Sequence, residues 1–297
     1  VRRRQRGGPS KVGGRGRRLG DSAGRSSRFG ASAWVAATFL VLLFAAAIAA
    51  PILPIWNPTA SDYTAISAWP SPSHLLGTDQ LGRDLLSRVI WGARDSLTVG
   101  IGSTIIGAAV GTLIGTVAGF FGGKVQSLLM RLMDILLAFP AIVLALAVLA
   151  AVGSSLQSVV VIIGVLFIPG YARMVRAPVL SLRQRDFVLA CAAVGMSRTR
   201  IMLREVLPNV VPLITNFGLA TFGISILIEG GLGFLGVSVP PPTPTWGGMV
   251  ASGQQVLSTN PLVCLVPAAA LAGVVFAANV LGDALSRRTD SKAGQLG

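Results

Sequence analysis

Few side chains in this sequence are equipped for chemistry. Of its 297 residues one is a histidine, His74, and two are cysteines, Cys191 and Cys264. That is too few for a Cys/His zinc cluster or a disulfide framework, so no metal site is expected and the redox compartment stays open. No Gly-x-x-x-x-Gly-Lys-Ser/Thr loop occurs, and Gly122-Gly123-Lys124 lacks both the spacing and the hydroxyl residue of a phosphate cradle. The chain therefore reads as one that does not hydrolyse ATP by itself. Gly-x-Ser-x-Gly, His-Glu-x-x-His and Cys-x-x-Cys patterns are missing too, which leaves an intramembrane enzyme without support. One acid stands out. Glu229 is the single charge among the 77 residues from Val206 to Gly282. A carboxylate in hydrocarbon costs around 2.5 to 3.5 kcal/mol on insertion scales, so Glu229 is expected to face the bundle or a wet cavity. It is either a pathway or gate residue that carries a proton or, in the preferred reading, a structural acid capping backbone donors in the outer third of the membrane. Gly230, Gly231 and Gly233 behind it predict a helix that loosens there.

The elements that must position these residues follow from composition. The chain is 52% apolar and only 12% charged, with a mean hydropathy of +0.71, where a soluble domain carries roughly 25% charged residues. A bilayer core ~30 Å thick takes ~20 helical residues, so charge-free length counts crossings. Trp34 to Leu53 makes one span and Ser96 to Gly123 a second. Ile135 to Ala172 is charge-free over 38 residues, about two crossings, with Gly153, Ser154 and Ser155 as the turn between them. Pro240, Pro241, Pro242 and Pro244 divide the last stretch into spans near Val210 to Leu235 and Leu262 to Leu281. Six spans place both termini on one side. The first apolar run is longer than the ~7 to 15 residues of a signal peptide's apolar region and reads as an uncleaved helix.

Charge fixes the side. The net charge of +14 invites a nucleic-acid partner, yet ten of the 25 basic residues (Arg2, Arg3, Arg4, Arg6, Lys11, Arg15, Arg17, Arg18, Arg25 and Arg28) crowd into the first 28 positions with no aromatic residue among them. A basic, disordered tail over residues 1–30 on an apolar body is a membrane pattern, with the tail inside and drawn to anionic lipid. With six spans, 22 of the 25 basic residues lie inside; Arg83, Arg88 and Arg94 are the exceptions, offset by Asp79, Asp84 and Asp95. Gly107, Gly111, Gly115 and Gly119 recur at i, i+4 and give the second span a face that another helix can approach at backbone distance. Between the fourth and fifth spans, Tyr171 to Leu207 reads as a cytoplasmic hairpin of two short helices. The first, Asp186 to Val194, carries apolar Phe187, Val188 and Ala190; after a break at Gly195 the second starts at Ser197 as N-cap and ends at Pro208. Apolar Ile201, Met202 and Val206 alternate there with Arg200 and Arg204, and periodicity alone leaves open whether the hairpin pads lipid or docks a soluble partner.

Several stretches taken together carry a resemblance. His74-Leu-Leu-Gly-Thr-Asp-Gln-Leu-Gly-Arg-Asp-Leu-Leu-Ser-Arg88 and Gly92-Ala-Arg-Asp-Ser-Leu97 resemble the signature region of the C-type permease subunit of bacterial dipeptide and oligopeptide ABC transporters. Ala190 through Gly195 to Leu207-Pro-Asn209 resembles the EAA loop of binding-protein-dependent permeases. Glu229-Gly-Gly-Leu-Gly-Phe-Leu-Gly-Val237, Pro241-Pro-Thr-Pro-Thr-Trp-Gly247 and Asn279-Val-Leu-Gly-Asp283 are similar to the same subunit, and the likeness covers about residues 35 to 288.

The resemblance implies an all-α, six-helix type I importer permease of the bacterial inner membrane. Its parts would be a tail (1–30), a first helix and external loop (31–95), a five-helix core (96–288) with the EAA loop at 184–209, and a second tail (289–297). It further implies a homologous B-type permease, two cytoplasmic ATPases that bind the ATP and magnesium, an extracytoplasmic binding protein and a peptide substrate, with no cofactor on this chain. Phe187, Ala190, Ala193, Gly195, Arg198, Arg200, Arg204, Leu207 and Pro208 would form the ATPase-coupling loop. Leu189 stands where the family often has Glu, and Cys191 replaces the second Ala, so docking is expected to be dominated by apolar contacts with the three arginines as charge partners. Two alternatives stand beside this: a proton-coupled secondary transporter using Glu229, and a membrane scaffold that transports nothing.

Overall fold

The computed structural model describes residues 30–293, so both expected tails lie outside the described residues apart from their inner ends. Helices α1 (Ala31–Ala49), α2 (Leu85–Phe121), α3 (Gly123–Leu137), α4 (Ala141–Val152), α5 (Leu156–Leu182), α6 (Asp186–Ala193), α7 (Arg198–Ile201), α8 (Leu207–Phe234), α9 (Trp246–Gly253) and α10 (Leu262–Ala293) follow one another, and the described residues contain no strand. Five helical runs are long and apolar enough to cross a membrane: α1, α2, α5, Arg198–Phe234 and Leu262–Arg287. The sixth crossing is broken. α3 and α4 meet at 83° and qualify only as a pair, which corrects the expectation of a straight third span starting at Ile135. Pro140 explains the break: it offers no N–H to the preceding turn and disfavours helical geometry at Phe139. The turn expected at Gly153 to Ser155 is present. Gly153 takes φ +93°, and the Ser155 hydroxyl accepts the Ser158 N–H at 3.1 Å to start α5.

α2 begins well before its charge-free stretch. Its 37 residues span ~55 Å at 1.5 Å per residue, so its first turns stand clear of the hydrocarbon and support a cap made by residues 51–84. The charges of that cap are turned inward. Asp79 pairs with Arg83 at 2.7 Å and with Arg88 at 3.3 Å, while its Oδ1 accepts the N–H groups of Leu81 and Arg83. Asp84 caps α2 through the Ser87 N–H at 2.8 Å and holds His74 Nδ1 at 2.9 Å. Asp79 thus offsets both Arg83 and Arg88, and Arg94 lies over the Trp91 ring at 5.7 Å. Gly77 (φ +82°) and Gly82 (φ +73°) make the tight returns; a Cβ on Gly82 would stand 2.1 Å from the Asp62 carbonyl oxygen.

α2 and α5 form the central pair. All four glycines of the i, i+4 face are buried and turned toward α5. A Cβ on Gly111 would lie 2.6 Å from Ile168 O, one on Gly115 2.5 Å from Ala172 O, and one on Gly119 2.7 Å from Arg176 O. These are backbone-to-backbone contacts, and between transmembrane helices such packing supplies the attraction that burial from water supplies elsewhere. α8 and α10 pack beside this pair. α1 lies outermost, with Phe39 against Gly273 of α10.

Candidate functional site: the elbow and the opposite end of the bundle

The chain between α5 and α8 forms an elbow at the end of the bundle opposite the cap. Asp186 opens α6, where its negative charge suits the helix N-terminus. α6 stops when Gly195 adopts φ +86° and the Met196 N–H turns back to the Cys191 carbonyl at 3.1 Å, a left-handed C-terminal closure that favours glycine. Ser197 occupies the N-cap position of α7, but its side chain makes no capping bond. The second helix does not end at Pro208. It passes through one wide turn, Met202–Val206, in which the Leu207 N–H bonds five residues back to Met202 O, and then continues as α8. Pro208 lacks an N–H, and the widened turn lets it enter α8 near that helix's first position. The Asn209 side chain donates to the Glu205 carbonyl in the same turn.

The elbow has two faces. Val188, Ile201, Met202, Val206 and Val210 are buried against Phe120 of α2 and Val175 and Val179 of α5, which seats it on the central pair. Its other face is open: Phe187 is 41%, Leu189 57% and Val194 89% exposed. Ala190, Ala193, Gly195, Arg198, Arg200, Arg204 and Pro208 are exposed as well, and Leu207 is half-buried. None of the three arginines forms an ion pair among the described residues. The open face therefore combines apolar side chains with positive charge on a base that is packed against α2 and α5 and runs on into α8.

At the cap end Glu229 is fully buried. Its Oε2 accepts the Ser96 hydroxyl of α2 at 3.1 Å, and its Oε1 accepts the Ser238 hydroxyl just beyond α8 at 3.1 Å. The donors are side chains, where the sequence pointed to backbone N–H groups. Nor does α8 loosen behind it: the helix runs on to Phe234. Gly230 and Gly233 instead admit α9, and a Cβ on Gly247 would stand 2.4 Å from Gly230 O. Trp246, fully buried, donates to Val89 O of α2 at 3.0 Å. No group of three or more His, Cys, Asp or Glu side chains suited to a metal occurs among the described residues.

Residues 111–293 match the family described as the binding-protein-dependent transport system inner membrane component. The chain belongs to this family. The permease is 38% identical over 258 residues to the glutathione transport system permease protein GsiD of Pectobacterium atrosepticum, covering 86% of each chain. It is 41% identical over 261 residues to GsiD of Escherichia coli O157:H7, covering 88% of this chain and 86% of the relative. Two inward-facing crystal forms of the MetNI methionine ABC transporter share the fold at 20% identity: one has TM-score 0.55 and covers 69% of this permease and 95% of that chain, the other 0.56, 69% and 97%. The chain is thus a multi-pass inner-membrane permease of the ABC importer type, and neither the secondary-transporter nor the scaffold alternative is favoured. Sequence reasoning missed Ser96 and Ser238 as partners of Glu229, and Trp246 as the anchor of α9 on α2. The only signal for them was indirect, a lone acid in one span and an unusual Thr-Trp-Gly after a run of prolines.

Proposed function

We propose that this permease is one half of the pathway of an ATP-driven importer for dipeptides or short oligopeptides, glutathione-like tripeptides included. It pairs with a homologous permease, two cytoplasmic ATPases bind and hydrolyse the ATP, and an extracytoplasmic binding protein delivers substrate to the cap end. The elbow and both termini face the cytoplasm, an orientation supported by the 22 of 25 basic residues that it places inside. The observation that carries the reading is the elbow: exposed Phe187, Leu189 and Val194 on one face, and a buried face anchored to α2, α5 and α8. An ATPase groove that grips the open face moves the spans with it, because packed cores transmit displacement without absorbing it. The peptide class is supported by the glutathione named for the relatives. Arg198, Arg200 and Arg204 supply long-range attraction, and Leu189 supplies apolar contact where an acid would supply charge.

The test is reconstitution of the permease with its partner permease and ATPases in proteoliposomes. Labelled di- and tripeptides are expected to accumulate only with ATP inside the ATPase compartment and binding protein on the opposite side. Charge reversal at Arg198, Arg200 and Arg204 is expected to reduce ATPase co-purification while the chain still inserts and folds. With Cys191 and Cys264 replaced by Ser, Val194→Cys is expected to react with a membrane-impermeant maleimide only after the cell membrane is permeabilised. Accumulation without ATPases, or labelling of Val194→Cys in intact cells, refutes the reading.

A further inference from the structure

Among the described residues Glu229 is the one buried carboxyl that neither the elbow nor the cap's ion pairs employ, and its surroundings are unusual for an acid in a span. No Lys, Arg or His lies within ion-pair distance of it among the described residues. Its partners are buried hydroxyls from different parts of the chain: Ser96 of α2, and Ser238 and Thr245 of the segment 236–261 that folds back over the cap end. That segment is held at further points, among them Trp246 Nε1 to Val89 O at 3.0 Å, Ser154 Oγ to Val237 O at 3.2 Å and Asn260 Nδ2 to Ala68 O of the cap at 3.0 Å. Its helix α9 meets α8 at glycine backbones, Gly247 on Gly230 and Gly248 on Gly233, a contact that has van der Waals attraction and no side-chain interlock. Against α8 itself the side-chain polar ties run from Glu229 to Ser238 and Thr245, and through Ser96 the same carboxyl ties α8 to α2.

We infer that Glu229 is a positioning residue of the transport cycle, fastening α2, α8 and the segment 236–261 into one body so that this segment, at the cap end, follows the helices whenever the elbow moves them. The inference rests on the permease function proposed above for the importance of that motion. It needs hydrogen bonding by the side chain and not its charge. Gln at 229 accepts hydroxyl bonds at Oε1 and donates to hydroxyl oxygens through its amide N–H groups, so it keeps a tie to α2 and a tie to the segment; Ala keeps neither.

Two measurements on the full chain decide it. In nanodiscs, amide hydrogen exchange across 236–261 is expected to quicken about tenfold or more in Glu229→Ala, with α5 and the elbow unchanged, and to stay near the unmodified rate in Glu229→Gln. In the assembled transporter, peptide imported per ATP hydrolysed is expected to fall about tenfold in Glu229→Ala and to recover in Glu229→Gln. Adding Ser238→Ala to Glu229→Ala is expected to cost nothing further, since both act through one carboxyl. If Glu229→Gln behaves like Glu229→Ala, charge is what matters and the fastening is overturned. If exchange quickens uniformly along the chain, or uptake and ATP hydrolysis fall in strict proportion to the amount of folded complex, the role is only structural and the inference fails. Should the unmodified assembly import no peptide, the proposed function fails, while the exchange measurement still decides the fastening.

Discussion

The seam between α2 and α5 allows a sign to be worked out from geometry alone. In Gly115→Ala the new Cβ stands 2.5 Å from Ala172 O, 3.0 Å from its Cα and 3.1 Å from its carbonyl carbon. All three are backbone atoms, so no side chain can swing aside and α5 must retreat by roughly 1 Å to restore ordinary contact. A gap of 0.5 to 1 Å already forfeits a quarter to a half of each dispersion contact, and the same retreat opens the contacts at Gly111 and Gly119. Overpacking of this kind costs about 1 to 3 kcal/mol, while exchanging Gly for Ala in a helix returns about 1 kcal/mol. The net expectation is destabilisation by up to about 2 kcal/mol, rising by a further ~1 kcal/mol or more for Gly115→Val, whose two γ carbons enter the same space. Gly231, in α8, is the control: nothing lies within 4 Å of a Cβ there, so Gly231→Ala is expected to be neutral or stabilising by up to about 1 kcal/mol. Equilibrium unfolding of the lipid-embedded chain by denaturant or steric trapping reads both. Equal shifts of the same sign at the two positions would show that backbone contact between α2 and α5 does not hold the bundle, and the packing argument would be wrong.

Gly195→Ala puts a Cβ into a left-handed conformation with no neighbour to clash. About 1 to 2 kcal/mol of backbone strain alone is expected, local to the elbow, and it should appear as reduced peptide-stimulated ATP hydrolysis with global stability unchanged. Asp79→Asn leaves Arg83 and Arg88 buried without their shared counter-charge. A loss of about 3 to 5 kcal/mol confined to the cap is expected, read as faster hydrogen exchange over residues 60–84. Donation from the Thr64 hydroxyl, and then from its N–H, holds the Asp62 carboxyl below the ordinary carboxylate range. A depressed carboxyl contributes its stability above the unfolded value and loses it as pH falls through the folded one, so the Asp62 turn should loosen only in acid. Thr64→Ala is expected to move that transition upward toward the ordinary range, seen in the carboxyl carbon shift of labelled Asp62 on titration. No upward movement would mean that the hydroxyl does not hold the carboxylate.

What the sequence could and could not say divides along physical lines. Length without charge located α1, α5 and α10 and the turn at Gly153 because crossing a bilayer is a constraint on composition. The break between α3 and α4 escaped, since Ala138, Phe139 and Pro140 are as apolar as their neighbours and only the missing N–H of Pro140 marks them. Pro208 misled in the opposite direction: proline normally signals a helix end, but one widened turn over Met202–Val206 absorbs it and the helix continues. The i, i+4 glycines announced a close neighbour without naming it, because a stripe specifies a distance and not a partner. Ser96 and Ser238 were invisible for the same reason. They stand 133 and 9 residues from Glu229, and hydroxyl residues are too common in spans for any one to point at an acid.

The two candidate regions share a helix, and this gives them a mechanical relation. From Arg198 to Glu229 the chain is helical throughout, a run that at 1.5 Å per residue reaches ~46 Å, from the open elbow to the buried acid at the cap end. It has two soft points, the wide turn at Met202–Val206 and Pro212, both in its elbow-side half. Bending is therefore easiest close to the elbow, where Val206 and Val210 are buried against the α2 and α5 core, and hardest beyond it. A push at Phe187 or Leu189 consequently enters α2 and α5 first, which the glycine seam makes a single stiff pair, and reaches α8 as part of the same rotation. Unlocking the seam and softening the elbow ought then to have different signatures. Gly115→Val should lower stability and coupling together. Gly195→Ala should lower coupling alone, and finding the reverse pattern would mean that the elbow drives α8 directly, without α2 and α5.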